Sequence, residues 1–437
     1  MVAAAVAVTM VAVSTPWPPL LRIAFRFCFV YFGLFCLTFA QIVFVYAGIL
    51  TRLLPRDAVL WQMSSLEPLL NWVGRQAFGI DAVLHRESGS GDQAVIWVMV
   101  FCLFVIAAVA TLIWTVLDRR RSDYARLYPW FLLFIRLCVA GQMLFYGLAK
   151  LIPTQMPAPP LSALLQQYGQ FSPTSVLWLQ VGSSFPYEVA LGAVEVVGGL
   201  LLFWTRTATL GALVSVVSMA QVFLLNMTFD VPVKILSFHL LLMGLLLLAP
   251  QARRLANLLV LERPTDPATQ PELFGSPRAN RITTVVVALL GVWVFVGCAM
   301  ATWEGWREYG GGRDKPELYG IWAVTEFSVD GAGIPPLTND ETRWQHVVFD
   351  EPGLLTYQRM NGELRPEPAE VDSKAHTIAL PTLDTELRYQ RPAPDRLLLA
   401  GELDGKQVSM SLEQVDMDRF TLRTRGFHWV QESPYFR

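Results

Sequence analysis

The stretch Pro186–Leu240, PYEVALGAVEVVGGLLLFWTRTATLGALVSVVSMAQVFLLNMTFDVPVKILSFHL, decides how this chain is read. Two apolar runs, Val189–Trp204 and Ala208–Leu225, are joined only by Thr205, Arg206 and Thr207. A connection that short makes them antiparallel neighbours, each long enough to cross a bilayer. A third run begins at Pro232. Asp230 is placed to cap it, Pro232 falls in its first turn where a missing N–H costs nothing, and Lys234 follows Asp230 at helical spacing. Glu188, Gly192, Glu195 and Gly199 share one face of the first helix, and Gly211, Ser215, Ser218, Val222 and Asn226 share one face of the second. Stripes of small and polar residues let helices in lipid approach closely and satisfy one another's polar groups. Glu195 lies about 10 Å below Glu188 by helical rise, a depth at which a lone carboxylate is expensive. It needs a partner or a proton.

Composition agrees with a polytopic membrane protein bearing a soluble appendage. The 437 residues are 53% hydrophobic and only 16% charged, with a mean hydropathy of +0.41. The net charge of −2 hides an asymmetry: Gly312–Arg437 carries 14 Lys and Arg against 21 Asp and Glu, which leaves 20 basic and 15 acidic residues elsewhere. The basic residues sit in short loops at helix ends, so no nucleic-acid partner is expected. Cys28, Cys36, Cys102, Cys138 and Cys298 all lie in apolar runs, outside any CxxC or Cys/His cluster, and read as small buried hydrophobes. The appendage has no cysteine and so cannot carry a disulfide.

Taken in order, residues 1–20 form an apolar leader whose first part, Met1–Val13, lacks a basic n-region, so a cleaved signal is not expected. Residues 21–128 hold the first two spans, Phe27–Leu50 and Ala94–Leu117, with a long outer loop between them. That loop carries an amphipathic piece, WQMSSLEPLLNWVG, and ends in Ser88–Asp92. SGSGD reads as a turn with Asp92 capping the next helix in preference to a phosphate loop, because no lysine follows the glycines. Residues 129–262 form a four-helix unit, and 263–303 a cytoplasmic linker with a seventh span, Ile282–Ala301. Arg119–Arg121, Arg206, Arg253 and Arg254 mark the inner side, which puts the N-terminus inside and the C-terminus outside.

After Gly310–Gly312 the period changes to two. WAVTEFSV, RWQHVVF, LLTYQRM, RLLLAGEL, QVSMSL and FTLRTR read as strands, with Asn361-Gly362 and Asp404-Gly405 as hairpin turns. With weaker candidates this makes about eight antiparallel strands over 312–437, suited to a small up-and-down barrel, with a β-sandwich as the alternative. The fold class is therefore a polytopic α-helical membrane protein of about seven transmembrane helices plus a C-terminal antiparallel β-barrel-like domain. Gly320-Ile321-Trp322 resembles the GxW opening of lipocalin-type barrels.

A larger resemblance rests on Gly147-Leu148-Ala149-Lys150, Tyr168-Gly169, Ser172-Pro173, Glu195 with Gly198-Gly199-Leu200-Leu201, Arg206-Thr207, Leu210–Leu213, Asn226 and Asp230–Lys234. Over roughly 136–248 the chain resembles the DoxX/DoxD-like membrane proteins. That resemblance implies a bacterial cytoplasmic membrane location and a quinone-facing role beside a soluble redox partner. The sequence itself shows no cofactor motif.

Depth sorts the polar residues. Lys150, Glu188, Asn226, Asp230 and Lys234 fall at outer helix ends, while Gln142, Glu195 and His239 lie about 8 to 12 Å deeper. Arg136, Gln142, Tyr146 and Lys150 share a stripe, with Arg136 about 21 Å below Lys150. These ten residues form a candidate pocket open to the outside, its lysines holding an anion or quinone carbonyl and Glu195 or His239 passing protons. The competing reading is an ion-paired plug that fixes the bundle, with His239 as an interhelical hydrogen-bonder. GxSxG, P-loop and HExxH patterns are absent, and His85, His239, His346, His376 and His428 are too scattered for a metal site. Two functions remain in front: a quinone-interacting membrane subunit of an oxidoreductase, or a non-catalytic envelope protein whose β domain binds an apolar ligand or a partner. A transporter stands third, since no inverted repeat or broken helix pair is evident.

Overall fold

In a computed structural model, which describes residues 16–55, 57–265 and 271–436, seven helices are long and apolar enough to cross a membrane. They are α1 (Pro19–Thr38), α2 (Ala94–Leu117), α3 (Tyr128–Leu151), α4 (Phe185–Phe203), α5 (Ala208–Thr228), α6 (Lys234–Leu248, whose span continues to Leu259) and α7 (Pro277–Glu308). The leader segment Met1–Val13 lies outside the described residues. Contacts divide the chain into two compact units, one comprising the chain up to Gln155 with Glu188–Glu304, the other Met156–Tyr187 with Gly305–Arg437.

In the first unit, α1 differs from the expected span. It starts eight residues before Phe27 and ends at Thr38, after which Gln41–Phe44 and the 3-10 segment Val45–Leu53 continue irregularly through Gly48 at φ 55°. Trp293 Nε1 of α7 donates to the Tyr46 carbonyl at 3.1 Å, and the Tyr46 hydroxyl donates to the Leu137 carbonyl of α3 at 2.5 Å. A Cβ on Gly297 would meet the Gly48 Cα at 2.5 Å, so this irregular backbone is enclosed between helices. Only there can non-helical chain persist at membrane depth. Composition could not show the break, because a helix interior and a lipid phase ask for the same apolar residues. The amphipathic piece forms the helix Trp61–Val73 as expected.

The stretch that opened the reading folds as expected in its first two helices. Glu188, Gly192, Glu195 and Gly199 are all buried along α4. The third departs: α6 begins at Lys234, Pro232 precedes it, and its N-terminal N–H groups are capped from elsewhere in the chain. Asp92 Oδ2 accepts from Lys234 N at 2.8 Å and Asp92 Oδ1 from Ile235 N at 2.9 Å. Asp230 instead takes a left-handed φ of 53° in the turn. Asp92 therefore caps α6, 142 residues on, and not α2, whose N-cap position is Gln93.

In the second unit, the strands are β1 (Gly320–Val329), β2 (Ala332–Gly333), β3 (Trp344–Phe349), β4 (Leu354–Arg359), β5 (Leu364–Pro368), β6 (Glu370–Asp372), β7 (Thr377–Leu380), β8 (Thr385–Ala393), β9 (Arg396–Leu403) and β10 (Lys406–Gln414). Their order is β5-β4-β3-β1-β10-β9-β8-β7-β6, with β2 appended to β1. Ala369 alone separates β5 from β6, so the two ends of this nine-strand path meet and the described sheet is a nearly closed antiparallel barrel, not two packed sheets. The hairpins fall at Asn361-Gly362 and Asp404-Gly405 as the sequence expects. Alternate residues fill the interior: Trp322, Val347, Phe349, Leu355, Tyr357, Leu387, Leu397, Leu399 and Met410 are all buried in one cluster. One expected strand is corrected. FTLRTR is the short helix Thr421–Thr424, because β10 already pairs with β1 and closes the circuit, leaving no partner edge there.

The odd face of β1 carries a second core. Ile321, Val348 and Val415 bury Leu161, which belongs to the loop between α3 and α4. That loop is pinned by its backbone as well: Leu161 N donates to Asp350 Oδ2 at 2.8 Å, and Asp350 Oδ1 pairs with Arg313 at 3.0 Å. Met156–Tyr187 is thus part of the β unit.

Candidate functional site

Three glycines bring α3 and α4 together. A Cβ on Gly192 would lie 2.4 Å from Leu151 N and 2.6 Å from Gly147 O, one on Gly147 would lie 2.7 Å from Val196 N, and one on Gly199 3.1 Å from Ala140 O. The backbones touch, and the charged side chains beside the crossing are forced inward. Lys150 Nζ sits 2.8 Å from Glu195 Oε2, with side chains only 7% and 3% exposed. Of the two expectations for this carboxylate, a partner or a proton, the structure supplies a partner. Its other oxygen, Oε1, accepts a longer bond of 3.4 Å from Ser218 Oγ on α5, and Lys150 Nζ reaches the Tyr146 carbonyl at 3.5 Å. Both contacts are near the outer limit of hydrogen bonding, so each ion keeps capacity for a further polar group.

A polar relay adjoins the pair. The Tyr146 ring centroid is 5.8 Å from Lys150 Nζ, and its hydroxyl accepts from Gln41 Nε2 at 2.8 Å. Gln41 Nε2 also reaches Gln142 Oε1 at 3.0 Å, and Gln142 Nε2 returns a bond to the Gln41 carbonyl at 3.2 Å. Gln41, at the start of the irregular segment after α1, was missed by sequence reasoning. A glutamine inside an otherwise apolar run was the available signal.

The remaining residues of the ten separate into other places. Glu188 is buried on the same α4 face, seven residues before Glu195. Asn226 Nδ2 donates to Ser237 Oγ at 3.0 Å, joining α5 to α6. Lys234 Nζ pairs with Asp230 at 2.9 Å and lies 3.8 Å from Asp92. His239 bridges α6 to α1: Nδ1 meets the Ile235 carbonyl and Nε2 the Tyr31 hydroxyl, each at 2.7 Å, while the ring stacks on Phe35 at 3.9 Å. Both its nitrogens are engaged. Arg136 stands apart, lining a cavity at the α4–α5 turn. Among the described residues no group of three or more His, Cys, Asp or Glu is arranged to hold a metal ion.

The fold and this site define a multi-pass helical membrane protein with an antiparallel β-barrel domain and a buried Lys–Glu pair at a glycine-lined helix crossing. No family model matches the sequence, and no solved structure matches it. A Bacillus subtilis (strain 168) protein named "Uncharacterized protein YwoB" is 30% identical over 128 residues, covering 27% of this chain and 75% of that protein. The chain belongs to the family of that protein.

Proposed function

We propose that this is a DoxX-like subunit of the bacterial cytoplasmic membrane that holds the carbonyl head of a lipid-soluble quinone at Lys150 and Glu195, serving a soluble redox partner. The observation that carries the reading is the under-coordinated buried pair. An ammonium and a carboxylate enclosed together lose hydration worth several kcal/mol, and full internal hydrogen bonding is what ordinarily repays it. Here, among the described residues, Glu195 Oε1 has only the 3.4 Å contact from Ser218. Lys150 offers a donor to a carbonyl oxygen, Glu195 an acceptor for a hydroxyl, and the Tyr146–Gln41–Gln142 chain a polar lining beside the pair. A quinone supplies reversible two-electron chemistry with two such oxygens, and the protein's part is to orient the head and exchange protons at Glu195. In the competing reading, an envelope protein whose β domain binds an apolar ligand or a protein partner, the ligand finds less support, because the barrel's inward rows are filled by its own side chains.

In this proposal Arg119–Arg121, Arg206, Arg253 and Arg254 lie inside and the β unit outside. A C-terminal phosphatase fusion is expected to be active in cells. Brightness of a cytoplasm-restricted fluorescent fusion in its place reverses the orientation. For the site, quinone extraction and titration of the purified protein is the test, with Glu195→Gln expected to keep the fold and lose binding. Quinone binding unchanged by Glu195→Gln and by Lys150→Met removes the assignment.

A further inference from the structure

We propose a second site, independent of the quinone reading, in which Arg136 and Arg206 hold a phosphate group where the α4–α5 turn meets α3 and α7. A cavity of about 280 Å³ there is lined by Arg136 of α3, Thr205 and Arg206 of the turn, and Asn280, Thr283 and Thr284 of α7. Among the described residues Glu272 is the one carboxylate in its wall, against two guanidinium groups.

Register fixes the height of this cavity. Gly192 meets Gly147 and Gly199 meets Ala140, so α3 and α4 run antiparallel in step, and four residues beyond Ala140 brings Arg136 level with Phe203, at the turn. Arg136 is therefore not at mid-bilayer but at the boundary where headgroups lie. Thr205 Oγ1 lies 3.4 Å from Thr284 Oγ1, and Gly291 packs against the Phe203 ring, so α7 closes the far wall.

The second observation is that the arginines are not spoken for. Arg136 Nε is buried with no hydrogen-bond partner, and no hydrogen bond or ion pair joins Arg136 or Arg206 to another described residue. An ordinary loop arginine is solvated and needs no partner. An enclosed guanidinium N–H without one costs about 1 to 3 kcal/mol, which a ligand acceptor recovers. The planar fork of arginine matches phosphate oxygens, and the Thr205 hydroxyl can add a neutral donor, whereas the Thr283 and Thr284 hydroxyls and the Asn280 amide already donate to backbone carbonyls.

A third observation chooses between sources of phosphate. A smaller adjoining cavity shares Arg136, Thr205, Pro271 and Leu273, and the rest of its wall is mainly apolar, with Leu132, Leu133, Leu202 and Leu247 beside the polar Thr209 and Gln251. A polar chamber opening into an apolar one fits a phosphodiester with acyl chains better than free phosphate. Basic pockets between membrane helices at this level are where anionic headgroups bind.

The test uses the full chain in nanodiscs of phosphatidylglycerol or phosphatidylcholine, with native mass spectrometry after transfer to detergent. Wild type is expected to retain phosphatidylglycerol and not phosphatidylcholine. Arg206→Gln, at an exposed turn position that folding tolerates, is expected to cut retention about tenfold, as is Arg136→Gln, while Arg253→Gln outside the cavity leaves it unchanged. Equal retention in Arg206→Gln and Arg253→Gln overturns the site. Thermal stabilisation by inorganic phosphate that depends on both arginines, with no lipid retained, overturns the lipid source and leaves a free-anion site.

Discussion

The carbonyl oxygen of Gly147 lies 2.6 Å from the point where a Cβ on Gly192 would sit. The opposing atoms are backbone, which no rotamer change can move aside, so even a methyl group must push α3 and α4 apart. Overpacking of this kind costs typically about 1 to 3 kcal/mol. Gly192→Ala is expected to lower the melting temperature in detergent and to loosen the neighbouring Lys150–Glu195 pair, whereas Gly169→Ala, which meets nothing within 4 Å, leaves both unchanged. Equal melting temperatures for the two variants remove the close crossing from the account.

The ion pair gives the second prediction. Lys150→Met or Glu195→Leu alone leaves a buried charge uncompensated and is expected to cost about 3 to 5 kcal/mol, while the double change restores a dry apolar contact and is near neutral. A thermodynamic cycle of the four proteins measures the coupling. A double variant that is stable but cannot bind quinone supports the functional reading. One that is stable and still binds fully moves the ligand site elsewhere.

How much of this was legible in the chain follows from which interactions are local. The small-residue face of α4 could be read because Glu188, Gly192, Glu195 and Gly199 announce it by spacing alone, and depth told that Glu195 needed a partner or a proton, whereas the neighbour that meets this face, α3 through Gly147, could not be read from spacing. The barrel could be read because alternation and AsnGly or AspGly turns are local signals. What could not be read depends on chain brought from far away. Gln41 meets Tyr146 only because α1 breaks after Thr38, and Leu161 joins the β unit only because its loop folds over β1 and β3. FTLRTR has the pattern of a strand, yet strand pairing needs an open edge, and β1 had already been taken by β10.

Asp92 supplies a third prediction, contrary to the local reading of Asp230 as the cap. Its two carboxylate oxygens accept the Lys234 and Ile235 N–H groups at 2.8 and 2.9 Å. Asp92→Ala is expected to cost about 0.5 to 2 kcal/mol, the range for losing an N-cap. Asp230→Asn keeps a residue suited to the left-handed turn and removes the charge paired with Lys234 from a side chain that is 83% exposed, and is expected to cost well under 1 kcal/mol. Denaturation of the two variants side by side ranks them, and the reverse order refutes the long-range cap.

His346 predicts a pH dependence of the β unit. Burial pushes its imidazole below the ordinary 6.5, reinforced by Arg419 and opposed by the bond of 2.8 Å between Nδ1 and Gln358 Oε1. With the folded value depressed, the unfolded chain binds more protons between the two values, so the stability contribution is complete above 6.5 and lost as pH falls below it. Asp340 and Asp372, held below the ordinary 3.8 mainly by backbone N–H donors, act in a separate and lower window. Hydrogen exchange of peptides spanning β3 and β4, corrected for intrinsic rates, is expected to show weakening protection from about pH 6.5 downward. His346→Leu is expected to flatten that slope, and an unchanged slope excludes His346 as its source.

The last prediction concerns where the β unit begins. A fragment starting at Asp314 keeps every strand and the inward core of Trp322, Phe349 and Leu399, so a cooperative β fold is expected. It loses two things, however. Leu161, only 2% exposed, no longer covers Ile321, Val348 and Val415, and the partners of Asp350, Leu161 N and Arg313, are gone. Fully burying one leucine is worth about 1.5 to 3 kcal/mol, a large share of the stability of a small domain. The fragment is therefore expected to bind a hydrophobic dye and melt below the same unit in the full chain. A peptide of residues 156–187 added in trans is expected to raise that melting temperature, while the same peptide carrying Leu161→Asp does not. A fragment whose stability is indifferent to the peptide shows that the loop contributes nothing to the β unit.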